Sequence, residues 1–431
     1  MTELQINNAR VIDPLNVFDE HRSLYIKNGK LTDSSAADAP IIDATGLIAC
    51  PGFIDLYARL REPGYSRKGT IESEGYAAIK AGFTTVFCAP DTNPVIDSIA
   101  TVELIKQKAN AANGPRIVPI AALTAALNGE RLSEMATLFR AGCRILGHAD
   151  RPIKDTGVLL SAMEYASSFN IPIMVRPIEK AITGNGCAHA GSVATRLGLP
   201  GLTVAAETVA LSQLIELCRC TGCRLHLSRL SSGRAIEMVR QAKNDHLPVT
   251  ADVGIHHLYF THEQLEGFDV NFHSAVPFRS VEDRDALRTG VRDGTIDAIC
   301  SDHAPHDKDS KLAPFPSSAA GLSAFDSFIP LLLALPDLLN MSLIDVIAKV
   351  TSGPARIIDP DDNYSLTKDA PADIILIDTH AQARLAADEF LSHGLNSPLV
   401  GLNNLAEVID EDVNLVGQVQ HSFIAGNEKT K

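Results

Sequence analysis

The sequence has no surplus of basic charge, no long apolar run and no dense cysteine pattern. Across 431 residues, 38 lysines and arginines stand against 52 aspartates and glutamates, a formal charge of −14. A field of that sign repels nucleic acid and anionic membrane, so the expected partners are small molecules or proteins. The most apolar stretch, Phe325–Leu339, is interrupted by Asp326, Pro330, Pro336 and Asp337. It falls short of the roughly 20 helical residues that a bilayer crossing requires, so no membrane segment is expected. Met1-Thr2-Glu3-Leu4-Gln5-Ile6 has neither a basic nor an apolar leader region, and the eight cysteines are scattered. Reduced thiols and a cytoplasmic location are the expectation. There is no low-complexity tract, and the glycines at Gly184, Gly186 and Gly191 follow no phosphate-binding or dinucleotide pattern and read as a flexible loop.

What is present is enough apolar residue for a large core: 45% of the chain is hydrophobic and 21% charged. Eight short β-prone runs recur, at Phe53–Tyr57, Thr84–Cys88, Arg116–Ile120, Arg144–Gly147, Ile171–Val175, Arg224–Leu227, Pro248–Asp252 and Ile296–Asp302. Most are followed by helical periodicity, as at Ile71–Ala81, Val102–Ala111, Leu132–Ala141 and Gly157–Phe169. Strand-helix units repeated in this way predict an α/β fold, a (β/α)8 barrel over residues 51–359. Further strand-like runs, Leu4–Ile6, Ser23–Ile26 and Ile41–Ile42 at one end and Ala372–Ile377, Asn414–Val419 and Phe423–Ala425 at the other, flank it. The two termini are expected to meet in a small β-sandwich made of residues 1–50 and 360–431.

A barrel of this kind places functional groups where its strands end. The first strand would deliver Asp55, Tyr57, Arg59 and Arg61, and the second Asp91, Thr92 and Asn93. The fourth offers His148 and Asp150, the fifth Arg176, the sixth His226 and Arg229, the seventh Asp252 and His256, and the eighth Asp302, His303 and His306. The rim is polar but poor in an obvious metal-ligand set.

Pro51–Gly64, Thr92-Asn93-Pro94-Val95-Ile96-Asp97, Arg224-Leu225-His226, Ser301-Asp302-His303-Ala304-Pro305-His306 and Asn396-Ser397-Pro398, in that order and spacing, resemble a dihydroorotase of the amidohydrolase superfamily. The resemblance implies a site in which active members hold zinc by a His-x-His pair on the first strand. A carboxylated lysine or an aspartate on the fourth, histidines on the fifth and sixth, and an aspartate on the eighth complete it. Position by position, the first-strand pair is Tyr57 and Arg59, the fifth-strand histidine is Arg176, and the second histidine of the sixth strand is Arg229. Around His148 and Asp150 no lysine stands at the fourth-strand position. Only Asp302 persists, as a vestigial catalytic position.

A guanidinium stays protonated, has no lone pair to offer and repels a dication, so zinc has no place among three arginines. Without it the metal-bound water that serves as nucleophile is lost. No cofactor is therefore expected, and a bare Asp302 would be costly unless Arg59, Arg176 or Arg229 pairs with it. Among substrate-binding positions, Arg61 and His306 remain, whereas Asp91 replaces an expected asparagine and would repel an anionic substrate.

The resemblance extends to the non-catalytic dihydroorotase-like chains that hold bacterial aspartate carbamoyltransferase in an active assembly of six plus six subunits. The function it implies is that of an inactive subunit supporting the transcarbamoylase in pyrimidine synthesis. Two alternatives stand beside it. One is an active zinc-dependent cyclic amidohydrolase with a rearranged site, and the other a metal-free binder of a pyrimidine intermediate through Arg61 and His306. Of the remaining features, His256-His257 reads as structural. Cys218-Arg219-Cys220-Thr221-Gly222-Cys223 lacks a second ligand pair and reads as a helix end.

Overall fold

Short apolar strands that alternate with amphipathic helices cannot bury both sheet faces except by closing into a ring under a helical jacket. The computed structural model describes residues 3–430 apart from residues 35, 37, 363, 410 and 412. Its barrel strands are Phe53–Ala58, Phe83–Cys88, Arg116–Pro119 continued by Ala121–Ala122, Leu146–Gly147, Ile173–Val175, Leu225–Leu227, Val249–Gly254 and Ala298–Cys300. Successive strands pair in parallel. The ring closes where Ala58 bridges His303 and the Arg59 amide donates to the His303 carbonyl at 2.8 Å. The fold is a (β/α)8 barrel.

The helices fall close to the expected places, at Ile71–Lys80, Ile99–Ala111 and Thr156–Ser168. The helix expected over Leu132–Ala141 is shorter, Met135–Arg140. Its first residues are diverted: Leu132 bridges Thr124, and the Ser133 amide donates to the Leu123 carbonyl. The cysteine-rich run ends the helix Ala205–Thr221, with Gly222 left-handed at φ 63°, a conformation that glycine adopts without steric cost. The glycine-rich stretch after the fifth strand is not simply a loop. It carries the short helix Lys180–Thr183, and Ala188–His189 pairs with Gly201–Leu202. The apolar run Phe325–Leu339 is a helix that sets Phe328 4.6 Å and Phe325 5.4 Å from the ring of Phe83. Burying each ring is worth about 1.5–3 kcal/mol, which is why this run lies in the protein interior. No helix among the described residues is long and apolar enough to cross a membrane.

Both termini build one sheet beside the barrel, in the order Asn427–Glu428, Val416–Ile424, Ile374–Gln382, Ile48–Pro51, Glu3–Asp13, Phe18–Lys27 and Lys30–Thr32. Ile41–Asp43 also pairs with Glu3–Asp13. Asn28 and Gly29, at φ 52° and 79°, make the tight turn before Lys30. Lys30 then bridges Pro371, so the sheet folds back into a small β-sandwich around Ile6, Leu24, Ile26, Ile374 and Phe423. The runs read as separate strands at 414–419 and 423–425 are one continuous strand. Leu385, Leu399, Leu405 and Leu415, expected in the sandwich, share one core cluster with the barrel residues, and Asn396 Oδ1 accepts from the His306 amide at 2.7 Å. An apolar pattern announces burial without specifying which core receives it.

Candidate functional site

On the first strand, residues two apart share a face, so Asp55, Tyr57 and Arg59 all point into the barrel, from its interior to its mouth. At the mouth, Arg59 Nε donates to Asp91 Oδ2 at 2.9 Å and its Nη2 to Asp150 Oδ2. Arg176, which directly follows the fifth strand, reaches Asp150 Oδ1 at 3.2 Å. Arg229 spans two carboxylates, with Nη2 2.7 Å from Asp150 Oδ1 and Nη1 2.9 Å from Asp302 Oδ1. The expected pairing of an arginine with Asp302 is thus made by Arg229, while Arg59 and Arg176 turn to Asp150. Three guanidiniums face three carboxylates, and the formal charge of the cluster is zero.

Arg229 is the most constrained member. Its side chain is 1% exposed, and its guanidinium lies 3.7 Å from the centroid of the Tyr57 ring, a cation–π contact in a dry site. Both partners of its ion pair sit in left-handed backbone, Arg229 at φ 56° and Asp302 at φ 50°. Such conformations cost on the order of 1 kcal/mol each in non-glycine residues and persist only where the surroundings enforce them. Burial alone would raise the Asp150 carboxyl, but Arg229, Arg59 and Arg176 together hold it well below the ordinary carboxylate range. Burial likewise opposes the charge on Arg229, and Asp150 and Asp302 more than restore it.

The other predicted residues divide into two groups. His148 turns away from the mouth, its Nε2 2.8 Å from Thr124 Oγ1. His226 spends both ring nitrogens inside the barrel, 2.9 Å from Thr250 Oγ1 and 2.9 Å from Asp252 Oδ2. His303 Nε2 lies 2.8 Å from Glu74 Oε2, beneath the segment that crosses from Leu391 to Asn396. His256 and His257 are buried and held neutral by that burial. Arg61 and His306 form a separate rim contact, Arg61 Nη2 to His306 Nε2 at 3.0 Å. Asp91 is not the free repelling charge expected from the sequence, because Arg59 neutralises it.

The donor set does not fit zinc. The mouth carboxylates Asp91, Asp150 and Asp302 all face guanidiniums, and His226 has no ring nitrogen to spare. Among the described residues no group of three or more His, Cys, Asp or Glu side chains is arranged to hold a metal ion. The role of Asp150 as hub was not evident from the sequence. Its signal was that Asp150 is the first carboxylate after the fourth strand, three residues beyond Gly147.

A polar cluster at the mouth of such a barrel, beside a sandwich made from both termini, defines the amidohydrolase type of fold. L-Hydantoinase (dihydropyrimidinase) from Arthrobacter aurescens superposes with a TM-score of 0.85 over 99% of this chain and 96% of its own, at 19% identity. A D-hydantoinase does so with a TM-score of 0.83 at 18% identity, over 99% of this chain and 95% of its own. Residues 46–235 match the family model described as dihydro-orotase-like. A dihydroorotase-like protein of Pseudomonas putida is 38% identical over 403 residues, 92% of this chain and 95% of the relative. A dihydroorotase of Syntrophotalea carbinolica is 36% identical over 400 residues, 92% of this chain and 94% of the relative. The chain belongs to the dihydroorotase family.

Proposed function

We propose that this chain is a catalytically silent dihydroorotase-like subunit that supports the assembly and activity of aspartate carbamoyltransferase in pyrimidine synthesis. The observation that carries the reading is the closed network of Arg59, Arg176 and Arg229 on Asp91, Asp150 and Asp302. A protonated guanidinium supplies hydrogen-bond donors where a metal needs lone pairs, so the charge-neutral cluster takes the place of a cation and leaves no means to activate water. The intact barrel and sandwich around this cluster fit a role in contact rather than turnover. The partner itself follows from the resemblance to non-catalytic dihydroorotase-like chains.

Two measurements on purified protein test the two halves separately. Elemental analysis with a dihydroorotate hydrolysis assay should give no stoichiometric zinc and no turnover. Bound zinc together with turnover would favour the rival reading, an active cyclic amidohydrolase. Co-expression with the transcarbamoylase catalytic chain should yield a stable complex of higher transcarbamoylase activity than the catalytic chain alone. A transcarbamoylase fully active by itself that never associates with this chain would end the subunit reading.

A further inference from the structure

At the opposite end of the barrel, where the strands begin, lies a cavity of about 590 Å³ whose lining includes none of the network residues. Ile54, Phe87, Val118 and Pro172 give it an apolar floor. Its charged groups come from two parts of the chain. Arg144 and Arg224 stand just before the fourth and sixth strands, whereas Asp361 and Asp362 belong to the segment that leaves the helix Ser352–Ile358 for the sandwich. Arg116, which opens the third strand, donates Nη2 to Asp373 Oδ1 at 2.9 Å and is already neutralised.

The remaining charges are not spent on one another. Among the described residues no carboxylate stands within ion-pair distance of Arg144 or Arg224, and no cation within that distance of Asp361 or Asp362. Arg224 Nη2 donates to the carbonyls of Ile357 at 2.8 Å and Ile358 at 3.1 Å, neutral partners that hold the guanidinium in place without cancelling its charge. The Arg144 guanidinium has no hydrogen-bond partner among the described residues and rests 5.8 Å from the centroid of the Phe139 ring. Partial burial, Asp359 and Asp373 together raise the Asp362 carboxyl, the response of a carboxylate that lacks a cation. Phe169, 48% exposed, adds apolar surface at the same cavity. The volume suits a small molecule, and the lining selects its charge: a simple anion meets the aspartates and a simple cation meets the arginines, so only a ligand of both signs gains at both.

We propose that this cavity binds a small zwitterion whose carboxylate and ammonium are separated by an apolar spacer. Arg144 and Arg224 take the carboxylate, Asp361 and Asp362 the ammonium, and Phe139 and Phe169 cover the spacer. The guanidinium fork supplies directed hydrogen bonds to a carboxylate, and the aspartates accept from the ammonium. This goes beyond the subunit reading and does not depend on it, since binding is measured on the full chain without any partner.

The test is calorimetric titration at low ionic strength with 6-aminohexanoate, hexanoate and hexylamine, together with saturation-transfer NMR on the same three probes. Saturable binding of 6-aminohexanoate, weakened by added salt, is the expected result. Hexanoate and hexylamine, which carry one charge each, should bind about five-fold more weakly or not at all. Arg144→Gln and Asp362→Asn, at exposed side chains, should each weaken 6-aminohexanoate about five-fold, whereas Arg67→Gln at the far end of the barrel should leave it unchanged. If either variant misfolds by circular dichroism, Asp361→Asn replaces it with the same expectation. Absence of saturable heat and of saturation transfer at millimolar 6-aminohexanoate overturns the proposal. A single-charge probe bound as tightly as 6-aminohexanoate, or affinity unchanged in the Arg144 and Asp362 variants, does so as well.

Discussion

Asp55 and Asp150 are carboxylates inside one barrel with opposite surroundings. Asp55 lies deep on the first strand, fully buried, with the Ser301 amide at 2.9 Å and the Ser301 hydroxyl as its near partners, and with no cation beside it. Burial pushes its carboxyl up to about 7, against the Ser301 hydrogen bonds. Asp150, closer to the mouth, receives three guanidiniums and is held far below the ordinary range. Burial sets the direction for a carboxylate unless a cation is supplied, and in this barrel the cations arrive from strands one, five and six. The arginines thereby convert a site that would repel itself into a closed neutral network.

Removing the hub should produce the largest change. Asp150→Ala leaves Arg59 and Arg176 without their strongest partner and is expected to cost about 3 kcal/mol or more in urea unfolding. A loss under about 1 kcal/mol would mean that the network contributes little to holding the mouth together. Arg229→Met should cost less, about 2 kcal/mol, because Asp150 keeps two cations while Asp302 loses its only one. Equal losses for the two variants would remove the distinction between hub and spoke.

Asp55 responds to pH in the opposite sense. Its folded pKa is raised above the unfolded value of about 3.9, so its contribution is complete below about pH 4 and disappears as pH rises toward 7. Asp55→Asn keeps the hydrogen-bonding pattern of the protonated acid. It should match wild type in thermal unfolding at pH 4 and exceed it at pH 8, and a variant less stable than wild type at both would refute the neutral carboxyl. The smallest effect is expected from Tyr57→His combined with Arg59→His. Arg176 and Arg229 still occupy the mouth, so zinc content and dihydroorotate turnover should remain at background. Recovered turnover would show that the later arginines do not stand at metal positions.

Much of this was legible along the chain. Short apolar β-prone runs and the helical periodicity between them predicted the barrel, because both patterns are local in the chain. Tyr57, Arg59, Arg176 and Arg229 were equally visible, since each lies in or just after a strand of recognisable pattern. Asp150 was harder to place. The fourth strand is only Leu146–Gly147, too short to show which of His148 and Asp150, two residues apart, reaches the mouth. The packing of Leu399 and Leu405 against the barrel was not legible for a different reason, because both are apolar in either core.

The amino-acid order by itself determined the fold class, the dihydroorotase resemblance and the presence of guanidiniums at Arg59, Arg176 and Arg229, because residue identity alone states that guanidinium has no lone pair. Only the tertiary structure decided which carboxylate each arginine serves, that Asp91 is neutralised, and that Arg61 meets His306 on the rim. Those partners come from strands and loops far apart in sequence, and charge pairing depends on distance in space rather than along the chain.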